Sequence, residues 1–171
     1  MAALLIRTRL GWFWAVSRGD KLIASSLSRD REAASAAMAR IDNAARSDAF
    51  LDRLAEDMRR YASGEEVGFA SYPADLSSQP PFWRRAQLAA RLIPRGEVRT
   101  YQWLAAQAGN PKGARAAGQA MAHNPVAPII PCHRVIASDG SLGGYTGGLE
   151  TKGALLKLEG VRFDRRGLAL T

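Results

Sequence analysis

Hydrophobic and polar positions change their spacing along the chain, and this change predicts a first region of three strands followed by two helices. Short β-prone runs separated by turn residues are typical of a small antiparallel sheet. The predicted strands are Leu4–Leu10, Trp12–Val16 and Leu22–Leu27. Alanine-rich segments with helical apolar spacing and acidic residues near their starts then predict two helices, Asp30–Ala45 and Asp48–Ala62.

A stretch rich in proline and serine divides the chain into two parts. Val67–Tyr72 predicts one more strand, and Pro73–Pro81 then crowds three prolines and two serines into nine residues, which is typical of a linker. We therefore predict an α+β protein with an N-terminal α+β domain over residues 1–72, a linker over 73–81 and a C-terminal domain over 82–171.

The second part is mainly helical by its pattern. Four helices are predicted, at Phe82–Ile93, Tyr101–Ala108, residues 112–122 and Thr151–Glu159. The second and third are short and are joined by a turn that contains glycine and proline, which is the pattern of a helix-turn-helix. The third is rich in alanine and glycine and carries Lys112 and Arg115, so it fits close to a DNA groove. An ordinary helical hairpin explains the same pattern equally well.

Charge is distributed unevenly between the two parts. Residues 1–78 contain 11 basic and 11 acidic side chains, whereas residues 79–171 contain 13 basic and 5 acidic ones, so the whole net charge of +8 lies in the second part. This asymmetry indicates a polyanionic partner, with nucleic acid the leading candidate. A general basic bias of the source proteome would raise arginine everywhere, and the neutral first part argues against it.

Composition excludes several classes of protein. A single cysteine cannot form an internal disulfide, which suits a reducing, cytoplasmic setting. The apolar run Ala2–Ile6 is too short for a signal sequence or a membrane span, and no other run reaches that length. The glycine-rich segment Gly143–Gly148 lacks the spacing of a phosphate-binding loop, so no nucleotide cofactor is expected.

The one cysteine, Cys132, is the leading candidate for chemistry. It is followed by His133 and Arg134, which can act as a proton acceptor and as a positive charge that favours the thiolate. A buried structural cysteine is the alternative, because free cysteine is among the most buried residue types. Glu159, near the end of the last predicted helix, opposes the helix dipole and therefore suggests a cationic or imidazole partner; a solvated surface glutamate is the alternative.

Several motifs in the second part stand together with a specific spacing. They are Tyr101, Arg115, Asn124-Pro125, Ile130-Pro131-Cys132-His133-Arg134-Val135, Gly143, Tyr145, Gly147-Gly148-Leu149, Lys152 and Glu159. In this combination the chain resembles the O6-alkylguanine-DNA alkyltransferase (methylated-DNA–protein-cysteine methyltransferase) family over about residues 82–160. The resemblance implies a C-terminal winged helix-turn-helix domain that carries the active cysteine. The first part resembles the family's ribonuclease-H-like α/β domain in element order only.

The resemblance implies direct-reversal DNA repair at Cys132. This thiol would accept the alkyl group of O6-alkylguanine once and irreversibly, with O4-alkylthymine a second candidate substrate. His133 would take the thiol proton through a water, and Glu159 would orient His133, as in a catalytic triad. Asn124 would tie the helix-turn-helix to the active-site loop, and Tyr101 would hold the extruded guanine and supply a proton to it.

The resemblance also implies how duplex DNA is bound. Arg115 would fill the gap left by the flipped nucleotide, because the O6 substituent inside a duplex cannot reach a protein sulfur. Further DNA contacts are expected at Tyr101, Lys112, Thr100 and Ala114. The Val135 carbonyl would accept the guanine amino group, and the rest of the pocket would comprise Tyr145, Thr146 and Gly143. We expect a monomer, with copies able to cooperate along DNA, and neither a cofactor nor a metal.

The sequence departs from the family pattern at five positions. Ala86 and Gln87 stand where the family usually has valine and tryptophan, and Trp83 is expected to compensate in packing. The other three departures are Arg95 in place of tyrosine, expected to face the DNA, Thr146 in place of serine, and Ala127 where some relatives carry proline.

Three other classes of protein share some of these features. A DNA-binding regulator with Cys132 as a sensor explains the basic half of the chain but not Glu159 or the pocket glycines. A cysteine hydrolase is disfavoured because adjacent cysteine and histidine are not the usual geometry of such a dyad. Alkyltransferase-like proteins, which bind the lesion without repairing it, lack the acceptor cysteine that this chain has.

Overall fold

The structure is a computed structural model that describes residues 1–41 and 46–169. The described chain forms two compact units. The first comprises Met1–Leu76 together with Pro125–Ile129, and the second comprises Ser77–Asn124 and Ile130–Thr171.

The first unit is built on a three-stranded antiparallel sheet. Its strands are β1 (Ala2–Thr8), β2 (Gly11–Arg18) and β3 (Lys21–Ser28), in the order β1-β2-β3. Two helices follow, α1 (Arg31–Ala39) and α2 (Ala49–Ala62). Trp14 and Val16 of the central strand pack with small side chains, including Ala34 of α1, so the mixed α/β composition expected of this part is present.

Side-chain caps explain where both helices begin. The Asp30 carboxylate accepts a hydrogen bond from the Glu32 amide, and the Asp48 carboxylate accepts one from the Leu51 amide. Such caps satisfy amide groups that have no partner within the helix. The predicted helix Asp30–Ala45 is longer than α1, and its last predicted residues, 42–45, lie outside the described part of the chain.

The segment Val67–Tyr72 is not a strand, contrary to the prediction. Its aromatic side chains instead pack edge-on in the first unit: Phe69 lies 5.3 Å from Tyr61, and Tyr72 lies 5.6 Å from Phe50, measured between ring centroids. The Tyr72 hydroxyl also donates a 2.6 Å hydrogen bond to Asp57 of α2. The β-prone composition of this segment therefore reflects aromatic packing rather than sheet pairing.

The division between the units differs from the predicted domain boundaries of 72/73 and 81/82. The Leu22 amide donates to the Pro73 carbonyl at 2.8 Å, and the Asp75 amide donates to the Leu22 carbonyl at 2.7 Å, so the start of the predicted linker belongs to the first unit. Pro125–Ile129 also belongs there, because the Ser25 amide donates to the Pro125 carbonyl at 2.9 Å. The predicted C-terminal domain is therefore interrupted.

The second unit consists of helices around a two-stranded parallel sheet. Its helices are α3 (Pro81–Ala90), α4 (Tyr101–Gln107), α5 (Ala114–Ala122) and α6 (Leu149–Leu158). The strands are β4 (Arg99–Thr100) and β5 (Val135–Ile136). A short 3-10 helix, Cys132–Arg134, lies immediately before β5.

The α4 and α5 helices pack against each other and are joined by a tight turn that favours a small residue at position 113. The Thr100 hydroxyl caps α4 by accepting a hydrogen bond from the Trp103 amide at 3.1 Å. A Cβ at Gly113 would lie 2.7 Å from the Asn110 side chain, so no larger residue fits immediately before α5 without displacing that side chain. Within the described residues, no helix is long and apolar enough to cross a membrane.

Candidate active site

Cys132 is a buried free thiol at the first position of the 3-10 helix. Its amide donates to the Ile130 carbonyl at 2.8 Å, and the Arg134 amide donates to the Pro131 carbonyl at 3.0 Å. The proline and these two hydrogen bonds fix the backbone around the sulfur. The thiol lines an open cleft of about 810 Å³, so a buried atom still has access to a ligand.

His133 and Arg134 share the carboxylate of Glu159. His133 Nε2 lies 2.9 Å from Glu159 Oε1, and Arg134 approaches the same carboxylate through Nη2 at 2.8 Å and Nε at 2.9 Å. The His133 side chain is 1% exposed and that of Glu159 is 0% exposed. Arg134 also donates to the Ile93 carbonyl at 2.6 Å. Two elements distant in sequence, the 3-10 helix and the end of α6, are thus joined by a buried ionic network.

The protonation states of this network follow from burial and charge. Burial alone would raise the pKa of Glu159, but His133 and Arg134 outweigh it and hold that pKa well below its ordinary value. Burial lowers the pKa of His133, against the opposing effect of Glu159. At neutral pH the carboxylate is therefore ionised and the imidazole is neutral.

The neutral imidazole has one defined tautomer in this arrangement. An ionised carboxylate only accepts hydrogen bonds, so His133 Nε2 carries the hydrogen that is donated to Glu159. The other ring nitrogen, Nδ1, then has a free lone pair; it is buried and has no hydrogen-bond partner among the described residues. His133 therefore presents a proton acceptor that Glu159 orients.

The thiol itself is not activated at rest. Burial raises the pKa of Cys132, while a hydrogen bond with the Asn124 side chain, the charge of Lys152 and a hydrogen bond with Tyr145 act to lower it. The net direction is upward, so the sulfur is protonated at neutral pH and needs a base before it can act as a nucleophile.

Lys152 is a fully buried cation beside the thiol, and the sequence interpretation gave it no role. Its ammonium group donates to the Val135 carbonyl at 2.6 Å, to the Leu142 carbonyl and to the Gly144 carbonyl at 3.3 Å. It also lies 3.4 Å from the Tyr101 hydroxyl. Burial lowers the pKa of Lys152 to about 8, with Cys132 opposing the shift.

The sequence contains a signal that identifies Lys152. Positions 152, 155, 156 and 159 form one helical stripe, and the two middle residues of the stripe are leucines. A lysine and a glutamate on the same apolar stripe are expected to be buried together, and both side chains are buried. The stripe therefore marks Lys152 as well as Glu159.

Asn124 connects the end of α5 to the segment that precedes Cys132. Its side-chain amide donates to the Ile130 carbonyl at 2.8 Å. Residues 125–129 belong to the first unit and interrupt the second. The hydrogen bond joins the two residues of the second unit that flank this interruption. Asn124 therefore ties α5 to the active-site loop.

Tyr101 and the glycine-rich loop form one side of the cleft. The Tyr101 hydroxyl lies 3.5 Å from the Gly144 carbonyl, and its ring packs against Gly143, where a Cβ would lie 2.9 Å from that ring. Gly143 also has a φ of +67°, which favours glycine. The Thr146 hydroxyl donates to the Ala122 carbonyl at 2.9 Å, which fastens the loop to the end of α5.

Six of the thirteen predicted site residues line this cleft. Its lining includes Cys132, Tyr101, Ala114, Arg115, Tyr145 and Thr146. Lys112 is exposed in the turn before α5 and is not part of the lining, and Thr100 serves as the cap of α4. The lining also contains Gln102, Gln119 and Ser138, which the sequence interpretation did not single out.

Two of the five departures from the family pattern, Gln87 and Arg95, and the compensating Trp83 make defined contacts within the second unit. Gln87 is fully buried and donates to the Ala120 carbonyl at 3.0 Å near the end of α5. Trp83 stacks on His123 at 4.6 Å between ring centroids. Arg95 was expected to face DNA; its guanidinium donates to the Leu158 carbonyl at 3.1 Å, where a positive charge interacts favourably with the negative end of the α6 dipole.

Comparisons with known proteins agree with this geometry. The family model for the DNA-binding domain of 6-O-methylguanine DNA methyltransferase matches residues 81–161. A human methylated-DNA–protein-cysteine methyltransferase is 55% identical over 78 residues, which are 46% of this chain and 38% of that protein. The protein of that name from Methanosarcina acetivorans is 40% identical over 121 residues, which are 70% of this chain and 75% of that protein.

A solved structure matches nearly the whole chain. The Mycobacterium tuberculosis protein OGT, crystallised in complex with DNA, superposes with a TM-score of 0.78 at 32% sequence identity, covering 93% of this chain and 92% of that one. The matched cysteine-containing domain and this overall similarity define a DNA-modifying transferase of mixed α/β fold. The chain belongs to the methylated-DNA–protein-cysteine methyltransferase family.

Proposed function

We propose that this protein repairs alkylated DNA by direct reversal, transferring the alkyl group of O6-alkylguanine in duplex DNA to the sulfur of Cys132. The observation that carries the proposal is a buried thiol that opens into a cleft next to a neutral imidazole oriented by an ionised carboxylate. Membership of the methyltransferase family supplies the substrate class. O4-alkylthymine presents a similar alkylated oxygen and is the second candidate substrate.

The reaction begins with removal of the thiol proton. His133 Nδ1 accepts this proton through a water, and the resulting imidazolium is stabilised by Glu159. The buried charge of Lys152 favours the thiolate. The sulfur then attacks the alkyl carbon, forming a carbon–sulfur bond while the carbon–oxygen bond breaks, and guanine leaves as its anion.

The leaving base is protonated by a donor in the cleft. The Tyr101 hydroxyl is our candidate, because it lies at the cleft wall, 3.4 Å from the Lys152 ammonium. This ammonium can return a proton to the tyrosine oxygen or stabilise its negative charge. The product on Cys132 is a thioether, which has no good leaving group to regenerate the thiol. Each molecule therefore acts once.

The target nucleotide reaches Cys132 by leaving the base stack, because attack inside a duplex is sterically impossible. We propose that α4 and α5 form a helix-turn-helix, that α5 lies against the DNA, and that Arg115 fills the vacated space. Ala114, Thr100, Lys112 and Tyr101 would contact the flanking backbone. The extruded guanine would lie among Gly143, Tyr145 and Thr146, with its amino group at the second lone pair of the Val135 carbonyl.

The finer classification of the two units belongs to the same proposal. We interpret the second unit as a winged helix-turn-helix and the first as a ribonuclease-H-like domain, since the order of strands and helices agrees with both assignments. Action as a monomer in the cytoplasm, with neither cofactor nor metal, stays a prediction from the sequence.

Intact-protein mass spectrometry tests the proposed reaction. Incubation with a duplex that contains one O6-methylguanine should add a single methyl group, about 14 Da, that maps to Cys132 by peptide analysis. Cys132→Ala and an undamaged duplex are the controls and should show no addition. Tight binding to the lesion without a mass change would instead identify a damage sensor, and binding without lesion preference would leave only a DNA-binding protein.

A further inference from the structure

The chain after α6 folds into a short hairpin, residues 161–169, which we call the C-terminal hairpin. Phe163 and Ala169 pair across it, and the Asp164 amide donates to the Leu168 carbonyl at 2.9 Å. The Asp164 carboxylate accepts from the Arg166 amide at 2.8 Å and from the Leu168 amide at 2.9 Å. The tip of the hairpin is therefore a defined turn.

The hairpin is anchored to the turn that borders the substrate cleft. The Ala169 amide donates to the Gly140 carbonyl at 2.9 Å, and a Cβ at Gly140 would lie 3.0 Å from the Ala169 carbonyl oxygen. Gly140 in turn donates its amide to the carbonyl of Ala137, and Ala137 and Ser138 line the cleft. Val161 and Ala169 also pack into a core cluster with Ile136 and Leu156. The hairpin is thus a rigid extension of the cleft rim.

The outward side chains of the hairpin are strongly basic. Arg162, Arg165 and Arg166 are exposed, and Asp164 is the one acidic residue among residues 161–169. Arg166 lies 3.3 Å from Asp164, but the arginine side chain is 78% exposed, so this surface pair leaves the guanidinium available to another anion. Neither the proposed chemistry nor the packing of the second unit uses these three arginines.

A duplex at the cleft would present phosphates that α5 alone does not contact. Phosphates continue on both sides of a flipped nucleotide, whereas α5 and the turn before it contribute only Lys112 and Arg115 as cations. A turn with exposed arginines, anchored through Gly140 to the segment that borders the cleft, is placed to meet the backbone beyond the reach of α5. Guanidinium groups are suited to phosphate oxygens because of their planar arrangement of donors.

We propose that the C-terminal hairpin is a second DNA-binding element, which contacts backbone phosphates on one side of the alkylated nucleotide through Arg165 and Arg166. This inference rests on the proposed function, because it assumes that the cleft receives a nucleotide from a duplex. It adds a contact that the helix-turn-helix assignment does not include. The hairpin contributes affinity and orientation, not sequence preference.

The salt dependence of duplex binding tests the proposal. Arg165→Ala/Arg166→Ala retains Asp164 and Gly167, which form the turn. Its binding to undamaged duplex should be about tenfold weaker at low salt, and the slope of log K against log salt should be shallower by about 1 to 2. The matched control is Arg84→Ala/Lys157→Ala, which removes the same charge from exposed positions of the second unit. If the control variant loses as much affinity for DNA, the loss in the hairpin variant is explained by net charge alone and the proposal is overturned.

Duplexes that extend unequally on the two sides of the lesion locate the contact. Shortening the duplex on one side should abolish the difference between wild type and the hairpin variant, and shortening it on the other side should preserve that difference. A difference that is insensitive to both truncations would exclude a phosphate contact at a fixed place.

Two further readouts separate this proposal from the proposed function. The hairpin variant should alkylate Cys132 with free O6-benzylguanine at the wild-type rate, because no duplex is involved; a slower reaction would mean that the hairpin acts on the cleft itself. If wild-type protein gains no methyl from a lesion duplex, the repair function fails. The salt slopes on undamaged DNA still decide whether the hairpin binds phosphates.

Discussion

Glu159 places one buried negative charge between the guanidinium of Arg134 and the neutral imidazole of His133. Removing that charge is therefore expected to affect both stability and the reaction. Glu159→Gln leaves the guanidinium of Arg134 buried without a counter-charge, so we expect the free energy of unfolding to fall by about 3 kcal/mol. Alkyl transfer to Cys132 should also slow, since His133 loses the anion that stabilises its protonated form. Urea unfolding and single-turnover kinetics measure the two effects.

The double variant Arg134→Met/Glu159→Gln is the matched control. It removes the unpaired charge and should recover at least half of the lost stability, while transfer stays slow. Transfer at the wild-type rate in the double variant would show that the carboxylate is only structural.

The lowered pKa of His133 predicts how the free energy of unfolding responds to acid. Its pKa is lowered in the folded protein, so the unfolded chain binds a proton that the folded one does not once the pH falls below about 6.5. Stability should therefore fall from pH 7.5 to pH 5.5, with this one group contributing up to about 1.4 kcal/mol. Urea unfolding of wild type and His133→Gln at both pH values isolates the contribution. Equal losses in the two proteins would contradict it.

The glycine-rich loop is an element in which one position carries a steric requirement and its neighbour does not. Gly143→Ala places a Cβ 2.9 Å from the Tyr101 ring at a φ of +67°, whereas Gly144→Ala meets nothing within 4 Å. We expect the first variant to displace Tyr101 and slow alkyl transfer about tenfold or more, and the second to stay near wild type. Transfer rates on a lesion duplex compare the two, and similar rates would contradict the packing role of Gly143.

The proposed role of Arg115 in α5 predicts that its removal slows the reaction with a lesion duplex more than the reaction with a free base. If Arg115 fills the space left by a flipped nucleotide, Arg115→Ala should slow repair of a lesion duplex by about tenfold or more while the reaction with free O6-benzylguanine changes little. Both rates are read from the loss of free Cys132. Equal losses on the two substrates would contradict the role of Arg115 as an intercalating side chain.

Some elements were predictable from the sequence because side-chain patterns encode them. Helix α2 has an apolar stripe and an aspartate cap, and the strands of the first sheet alternate with turn residues, so both appear near their predicted positions. Val67–Tyr72 was predicted wrongly, because aromatic residues suit edge-on packing as well as a sheet. The contact between His133 and Glu159 required knowing the family pattern, since the two residues are 26 positions apart.

Other features depend on backbone contacts that no side-chain pattern predicts. The pairing of Ser25 with Pro125 and Val126 uses main-chain groups, so the sequence gives no sign that residues 125–129 belong to the first unit. The cap that Arg95 forms at the end of α6 also depends on a carbonyl group. By contrast, the burial of Lys152 was readable from its helical stripe and was overlooked.

At the scale of the whole molecule, charge is segregated by function. The first part of the chain is electrically neutral over residues 1–78, and the whole surplus of +8 lies in residues 79–171, which contain the cleft, α5 and the C-terminal hairpin. Concentrating cations where the proposed substrate binds favours rapid, salt-sensitive association with DNA. The neutral part adds no competing attraction for the polyanion.

The five residues 125–129 also restrict how this gene can be shortened or recombined. They lie within the coding sequence of the second unit but complete the first, and Val126 and Ile129 are buried there. A deletion or gene fusion with its breakpoint near residue 77 would separate this apolar segment from the sheet of the first unit. We therefore expect neither unit to keep its native stability when it is exchanged as a simple terminal module.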